Sequence, residues 1–122
     1  DSPFIASASL QHHSFKLSGT LFHLWFQGEF KPDWKLLEKD FIGFTQPQIE
    51  LFGDFPTEEY HYLFQILPHS AYHGVEHSAS TVIALGPSYN VLKKDGRYED
   101  LLGVSSHELF LFVILILLLF YY

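Results

Sequence analysis

Apolar residues change their spacing along this chain, and the spacing predicts alternating strands and helices. From Phe15 to Phe26 the residues are aromatic and β-prone, and apolar side chains occupy both alternating faces. This pattern indicates one strand that is buried on both sides, with Gly19 at a bulge or bend.

A helix is expected after Pro32. Asp33 is a suitable N-cap, because its carboxylate can accept from the free amides of a first helical turn. The helix is expected to run, with a break near Pro47, towards Phe52. Four apolar residues at helical spacing form its inner face: Trp34, Leu37, Phe41 and Phe44.

Two further strands and a second helix complete the pattern. A turn at Gly53–Pro56 precedes an alternating strand, Tyr60–Leu67, and a β-branched strand follows over Gly74–Leu85. A polar loop then leads to a final helix near Arg97–Phe110. The order strand, helix, strand, strand, helix predicts an α+β fold with a small antiparallel or mixed sheet.

Composition excludes several classes of protein. Apolar residues make up 48% of the 122 residues, too many for a disordered segment. The net charge is −7, and no stripe of Lys and Arg exists to neutralise phosphates, so a nucleic-acid partner is not expected. There is no cysteine, which excludes disulfides, but eight histidines make metal binding worth testing.

One complete two-histidine motif is present, His73-Gly74-Val75-Glu76-His77, which matches the inverted zinc motif His-x-x-Glu-His. That motif works on a helix, where positions four apart share a face. Here Gly74 and the β-branched residues that follow favour a strand, on which His73 and His77 would lie about 13 Å apart. The strand prediction therefore weighs against a shared zinc, and the motif stays as an alternative.

A second motif is incomplete. His107-Glu108 begins the pattern His-Glu-x-x-His, in which two histidines chelate zinc and the glutamate acts as general base, but Leu111 stands where the second histidine belongs. The dipeptide alone carries little weight, since about half of chains with this composition would contain one by chance. Without further context it indicates only a polar side of an amphipathic helix.

Longer segments supply that context. Gly74–Thr81, followed by Asp100–Phe110, closely resembles the glycyl aminopeptidase family of zinc metallopeptidases, which belongs to the thermolysin-like group. Leu51–Pro56 and Tyr60–Phe64 are similar to that family's approach to the active site. Asp1–Ser7 resembles the segment that joins its N-terminal β-domain to the catalytic domain. The resemblance implies that residues 1–110 are the N-terminal part of a catalytic domain, with 1–30 near the junction.

The same resemblance implies roles for individual residues. His107 would be the first zinc ligand, and Glu108 the base that activates water for attack on a peptide carbonyl. Gly74, Glu76 and His77 would lie on the substrate side of the cleft, with Glu76 placed to hold a free amino terminus. Zinc and a peptide substrate are thus expected of the parent enzyme. With Leu111 in place of a ligand, this chain is expected to be inactive.

The last segment, residues 111–122, is uniformly apolar and departs from the family, whose members continue with the second histidine. Three explanations remain open: a membrane helix, for which about 20 apolar residues are needed; a buried helix or strand, although no amphipathic stripe is evident; or a frameshifted end of a truncated gene. The alternative to a peptidase fragment is a non-catalytic binding or membrane-associated protein that uses this segment.

Overall fold

A five-stranded mixed sheet carries two helices packed on one of its faces. The computed structural model describes residues 10–28, 31–53, 58–66, 71–77, 80–86 and 98–121, with the backbone alone at 52, 71–77, 117 and 119–121. The predicted α+β class is confirmed. In chain order the elements are β1 (Gln11–Leu17), β2 (Thr20–Gln27), α1 (Trp34–Phe52), β3 (Glu59–Ile66), β4 (Ala71–His77), β5 (Ser80–Gly86) and α2 (Tyr98–Tyr121).

The segment predicted as one bent strand is a hairpin. β1 and β2 pair antiparallel with Leu17 opposite Thr20, so only Ser18 and Gly19 form the turn. Their φ angles are 51° and 83°. Positive φ at both positions is typical of the type I′ hairpin turn, whose twist matches that of the strands. The prediction of a single strand was wrong because Ser18-Gly19 is a two-residue turn and not a bulge or bend within one strand.

The strands are ordered β1-β2-β3-β5-β4 across the sheet. β2, β3 and β5 run parallel in the centre, and each outer strand joins by an antiparallel hairpin. The segment predicted as one strand over Gly74–Leu85 is therefore two strands, with β4 at the edge. The predicted strand Tyr60–Leu67 corresponds to β3.

Helix α1 begins where the sequence indicates. The Asp33 carboxylate accepts from the backbone N–H of Leu36 at 3.2 Å, as an N-cap does. Leu37 and Phe41 are fully buried, and Trp34 and Phe44 are half-buried against the same core. The helix continues through Pro47 without the predicted break and ends at Phe52.

Helix α2 is longer than predicted and runs through the expected end at Phe110 to Tyr121. A buried stripe follows α2 as far as Val113, and Phe112 and Val113 extend it into the apolar segment, each 3% exposed. The stripe consists of Leu101, Val104, Ser105, Glu108, Leu109, Phe112 and Val113. The prediction that the apolar segment has no amphipathic stripe agrees with the structure, because its exposed side is also apolar, with Leu111, Leu115 and Leu118 facing outward. Among the described residues no helix has the length and hydropathy required to cross a bilayer.

Several sequence predictions fall outside the described residues. These are the junction segment Asp1–Ser7, most of the turn Gly53–Pro56, and the loop that precedes α2.

Candidate functional site

The helix that carries His107 and Glu108 lies beside the edge strand of the sheet. α2 runs alongside β4 and β5 and also contacts α1. Gln48 Nε2 on α1 donates to Ser106 Oγ on α2 at 3.1 Å, and the Tyr98 hydroxyl donates to the Asp40 carboxylate. These contacts tie α2 to the rest of the core at two points and set its rotation.

That rotation turns Glu108 inward and His107 outward. Glu108 is only 6% exposed, whereas His107 is exposed. Burial, the neighbouring Tyr60 and the Glu108 carboxylate together raise the pKa of the Tyr62 hydroxyl, in that order of importance. Glu108 therefore faces the sheet at the Tyr62 position of β3.

The residues around His107 do not fit a catalytic zinc centre. Leu111, one helical turn after His107, is 42% exposed and offers no ligand atom. Catalytic zinc usually takes three protein ligands and a water. Within the described residues, the one group of three metal-ligating side chains lies elsewhere, at His23, Glu59 and His61. The described residues around His107 therefore do not support a zinc-dependent reaction at this position.

The residues expected on the substrate side all lie on β4. Gly74 pairs with Ile83, Glu76 with Thr81 and His77 with Ser80. Because successive residues of a strand alternate between faces, positions 76 and 77 belong to opposite faces of the sheet. By register, position 76 is in the same row as Tyr62, on the face that α2 covers.

The same strand excludes the helical arrangement that the inverted zinc motif requires. His73 and His77 both lie in β4, opposite Ala84 and Ser80. Four residues along a strand separate them by about 13 Å, too far for one zinc. The prediction of a strand at this motif is confirmed.

A comparison with solved structures shows which known fold this chain resembles. The chain superposes on part of the crystal structure of an aminopeptidase N family protein from Idiomarina loihiensis, with a TM-score of 0.72 and 24% sequence identity. The fold is similar to part of that aminopeptidase. The match covers 84% of this chain and 18% of that one, so the chain spans less than a fifth of its neighbour's length. No protein-family model matches the sequence. No curated protein matches it significantly.

A second group of polar residues, which sequence reasoning missed, occupies the face of the sheet opposite the helices. His23 on β2 and His61 on β3 are register partners, and their rings stack with centroids 4.2 Å apart. Glu59 Oε1 lies 2.7 Å from His23 Nε2, and Trp25 Nε1 donates to His61 Nδ1 at 3.1 Å. The alternation of histidines with buried aromatics was visible in the sequence, but the parallel pairing of β2 with β3 was not.

Proposed function

We propose that this chain is part of a zinc-peptidase catalytic domain of the glycyl aminopeptidase type, and that as it stands it does not hydrolyse peptides. The observation that carries the proposal is the position of Glu108. Glu108 lies on α2, the helix beside the edge strand, and its side chain is buried close to Tyr62 of β3. The surrounding fold is similar to part of an aminopeptidase N family protein. A general base in such an enzyme has to lie next to the strand along which an extended peptide can pair.

The proposed inactivity follows from the ligand set. His107 and Leu111 occupy successive turns of α2, where two histidines would chelate one zinc. One histidine alone leaves the metal without the three protein ligands that hold it and polarise its water. Gly74, Glu76 and His77 on β4 are proposed as the substrate-side residues of the parent site, and zinc and a peptide as the parent's cofactor and substrate.

The test is to restore the missing ligand. Leu111→His should raise zinc affinity by about tenfold or more over the otherwise identical protein that keeps Leu111, because positions 107 and 111 share a helix face. Both proteins should carry Glu59→Gln so that binding at the opposite face does not obscure the result. Neither should hydrolyse aminoacyl amides with zinc present. An unchanged zinc affinity, or hydrolysis by the unmodified chain, would contradict the proposal.

The rival function, membrane association through the C-terminal segment, has one observation in its favour. Leu111, Leu115 and Leu118 are 42%, 44% and 55% exposed and lie at helical spacing along one side of α2. If this side binds lipid, the full chain should float with zwitterionic vesicles, and Leu115→Glu/Leu118→Glu should not. The buried Phe112 and Val113 rule out the simpler deletion of residues 111–122, because it would remove part of the core.

A further inference from the structure

The open face of the sheet brings together two imidazoles and a carboxylate from neighbouring strands. The donor atoms of His23, Glu59 and His61 all lie within 4.8 Å of one another. His23 and His61 are held side by side by the parallel register of β2 and β3, and Glu59 precedes His61 by two residues, on the same face. The arrangement therefore depends on the backbone of the sheet and not on a loop.

We propose that His23, Glu59 and His61 form a binding site for a divalent transition metal, with Zn²⁺ as the ion that its donors suit best. Two imidazole nitrogens and one carboxylate oxygen are a common zinc ligand set, and they leave a fourth position for water. The site is on the opposite face of the sheet from Glu108, so it is not the metal centre that the family resemblance implies. A metal there would join β2 to β3.

The contact between His23 and Glu59 is where the metal would enter. The 2.7 Å between His23 Nε2 and Glu59 Oε1 means that one proton lies between them. A metal would take the place of that hydrogen, and neutral His23 would bind as the tautomer that carries its proton on Nδ1. Ligand atoms of a tetrahedral zinc lie about 3.4 Å apart, so these two atoms would separate slightly while His61 moves in. His12 Nε2, 2.8 Å from His23 Nδ1, can then accept a hydrogen bond from the Nδ1–H of His23 and orient the ring.

Ligation by His61 requires a local rearrangement. While Trp25 Nε1 donates to its Nδ1, a neutral His61 carries its proton on Nε2 and has no free lone pair. Its ring also lies within 5° of parallel to that of His23, and a metal must lie in the plane of each ring that binds it. Metal binding therefore breaks the Trp25 hydrogen bond and turns His61 out of the stack. We expect a change in Trp25 fluorescence when the metal binds.

A buried hydroxyl beside His61 supports the site independently. Ser80 on β5 is the register partner of His61 and lies on the same face of the sheet. It is 2% exposed, and its Oγ has no hydrogen-bond partner among the described residues. Buried hydroxyls are normally paired, so an oxygen left without a partner next to His61 indicates a group that binds there.

The structure offers a matched control. His13 Nε2 and Glu38 Oε1 also lie 2.7 Å apart, on the helix-covered face, so this pair has the same chemistry as His23 and Glu59. Within the described residues it is not part of a group of three metal-ligating side chains. His13→Gln therefore removes a comparable histidine without touching the proposed site.

The test is a Zn²⁺ titration of the full chain, followed by tryptophan fluorescence and calorimetry, with Co²⁺ as a spectroscopic probe. The unmodified chain should bind one equivalent, show ligand-field absorption with Co²⁺, and lose the fluorescence change in Trp25→Phe. Glu59→Gln and His23→Gln should each weaken binding by about tenfold or more. Glu59 is 57% exposed in its side chain, so its substitution should leave the fold intact.

His13→Gln and His107→Gln should bind as the unmodified chain does. The proposal is overturned if the unmodified chain shows no Co²⁺ absorption and no Zn²⁺ binding. It is equally overturned if affinity survives Glu59→Gln and His23→Gln, or falls instead in His107→Gln, because the metal would then belong to other histidines.

Discussion

The ring of Phe112 packs against the ring of Tyr60, with centroids 5.1 Å apart. Tyr60 is fully buried on β3, and Phe112 is 3% exposed on α2, within the apolar segment that follows the incomplete zinc motif. This contact makes the first turn of that segment part of the core of the domain. The segment therefore has a structural role here.

Phe112→Ala should destabilise the chain strongly. Truncating a buried phenylalanine removes apolar contacts and leaves a cavity, at a cost of about 3–5 kcal/mol in the free energy of unfolding. Leu118→Ala is the control, because Leu118 is 55% exposed and its loss should change stability by no more than about 0.5 kcal/mol. Urea denaturation of the two variants measures the difference. Equal effects would mean that the segment does not pack on β3.

Asp33→Ala should cost about 1 kcal/mol by removing the N-cap of α1. The carboxylate accepts from the Leu36 amide at 3.2 Å, and alanine leaves that donor to water. Asp33→Asn keeps an acceptor at the same place and should retain most of the stability. If the asparagine variant loses as much as the alanine variant, the stabilisation comes from the charge and not from the hydrogen bond.

Some features of the fold could be predicted from the sequence, and others could not. The cap at Asp33 and the buried pair Leu37 and Phe41 depend on local spacing, and the structure confirms them. The hairpin at Ser18 and Gly19 was missed because the Ser-Gly turn signal was interpreted as a bulge or bend within one strand. The stacking of His23 on His61 depends on strands 38 residues apart pairing in parallel, which local spacing does not encode.

Two glycines should respond in opposite ways to alanine. At Gly28 φ is +122°, and an added Cβ would lie 2.2 Å from the Ile66 carbonyl oxygen, so Gly28→Ala should destabilise by about 2 kcal/mol or more. Gly43 lies in α1 with nothing within 4 Å of an added Cβ, and Gly43→Ala should stabilise by about 1 kcal/mol. Thermal unfolding compares them. Similar shifts in both would contradict the strand end at Gly28.

Stability of the metal-free chain should fall as the pH drops below 6.5. Burial, followed by the charge of His23, lowers the pKa of both His12 and His61 from 6.5. The unfolded chain then binds more protons than the folded chain below that pH, so acid favours unfolding. Urea midpoints measured with a chelator, from about pH 7.5 to about pH 5.5, should decline. The decline should be smaller in His61→Gln, and an identical decline would show that other groups cause it.

In the proposed function, α2 is the zinc helix of a peptidase domain with one ligand missing. X-ray absorption of zinc bound to Leu111→His, in a Glu59→Gln/His23→Gln background, counts the imidazole ligands of that helix. Two imidazole ligands are expected, from position 107 and the restored position, and both should be lost when His107→Gln is added. Zinc that keeps the same ligands without His107 would contradict the proposed function.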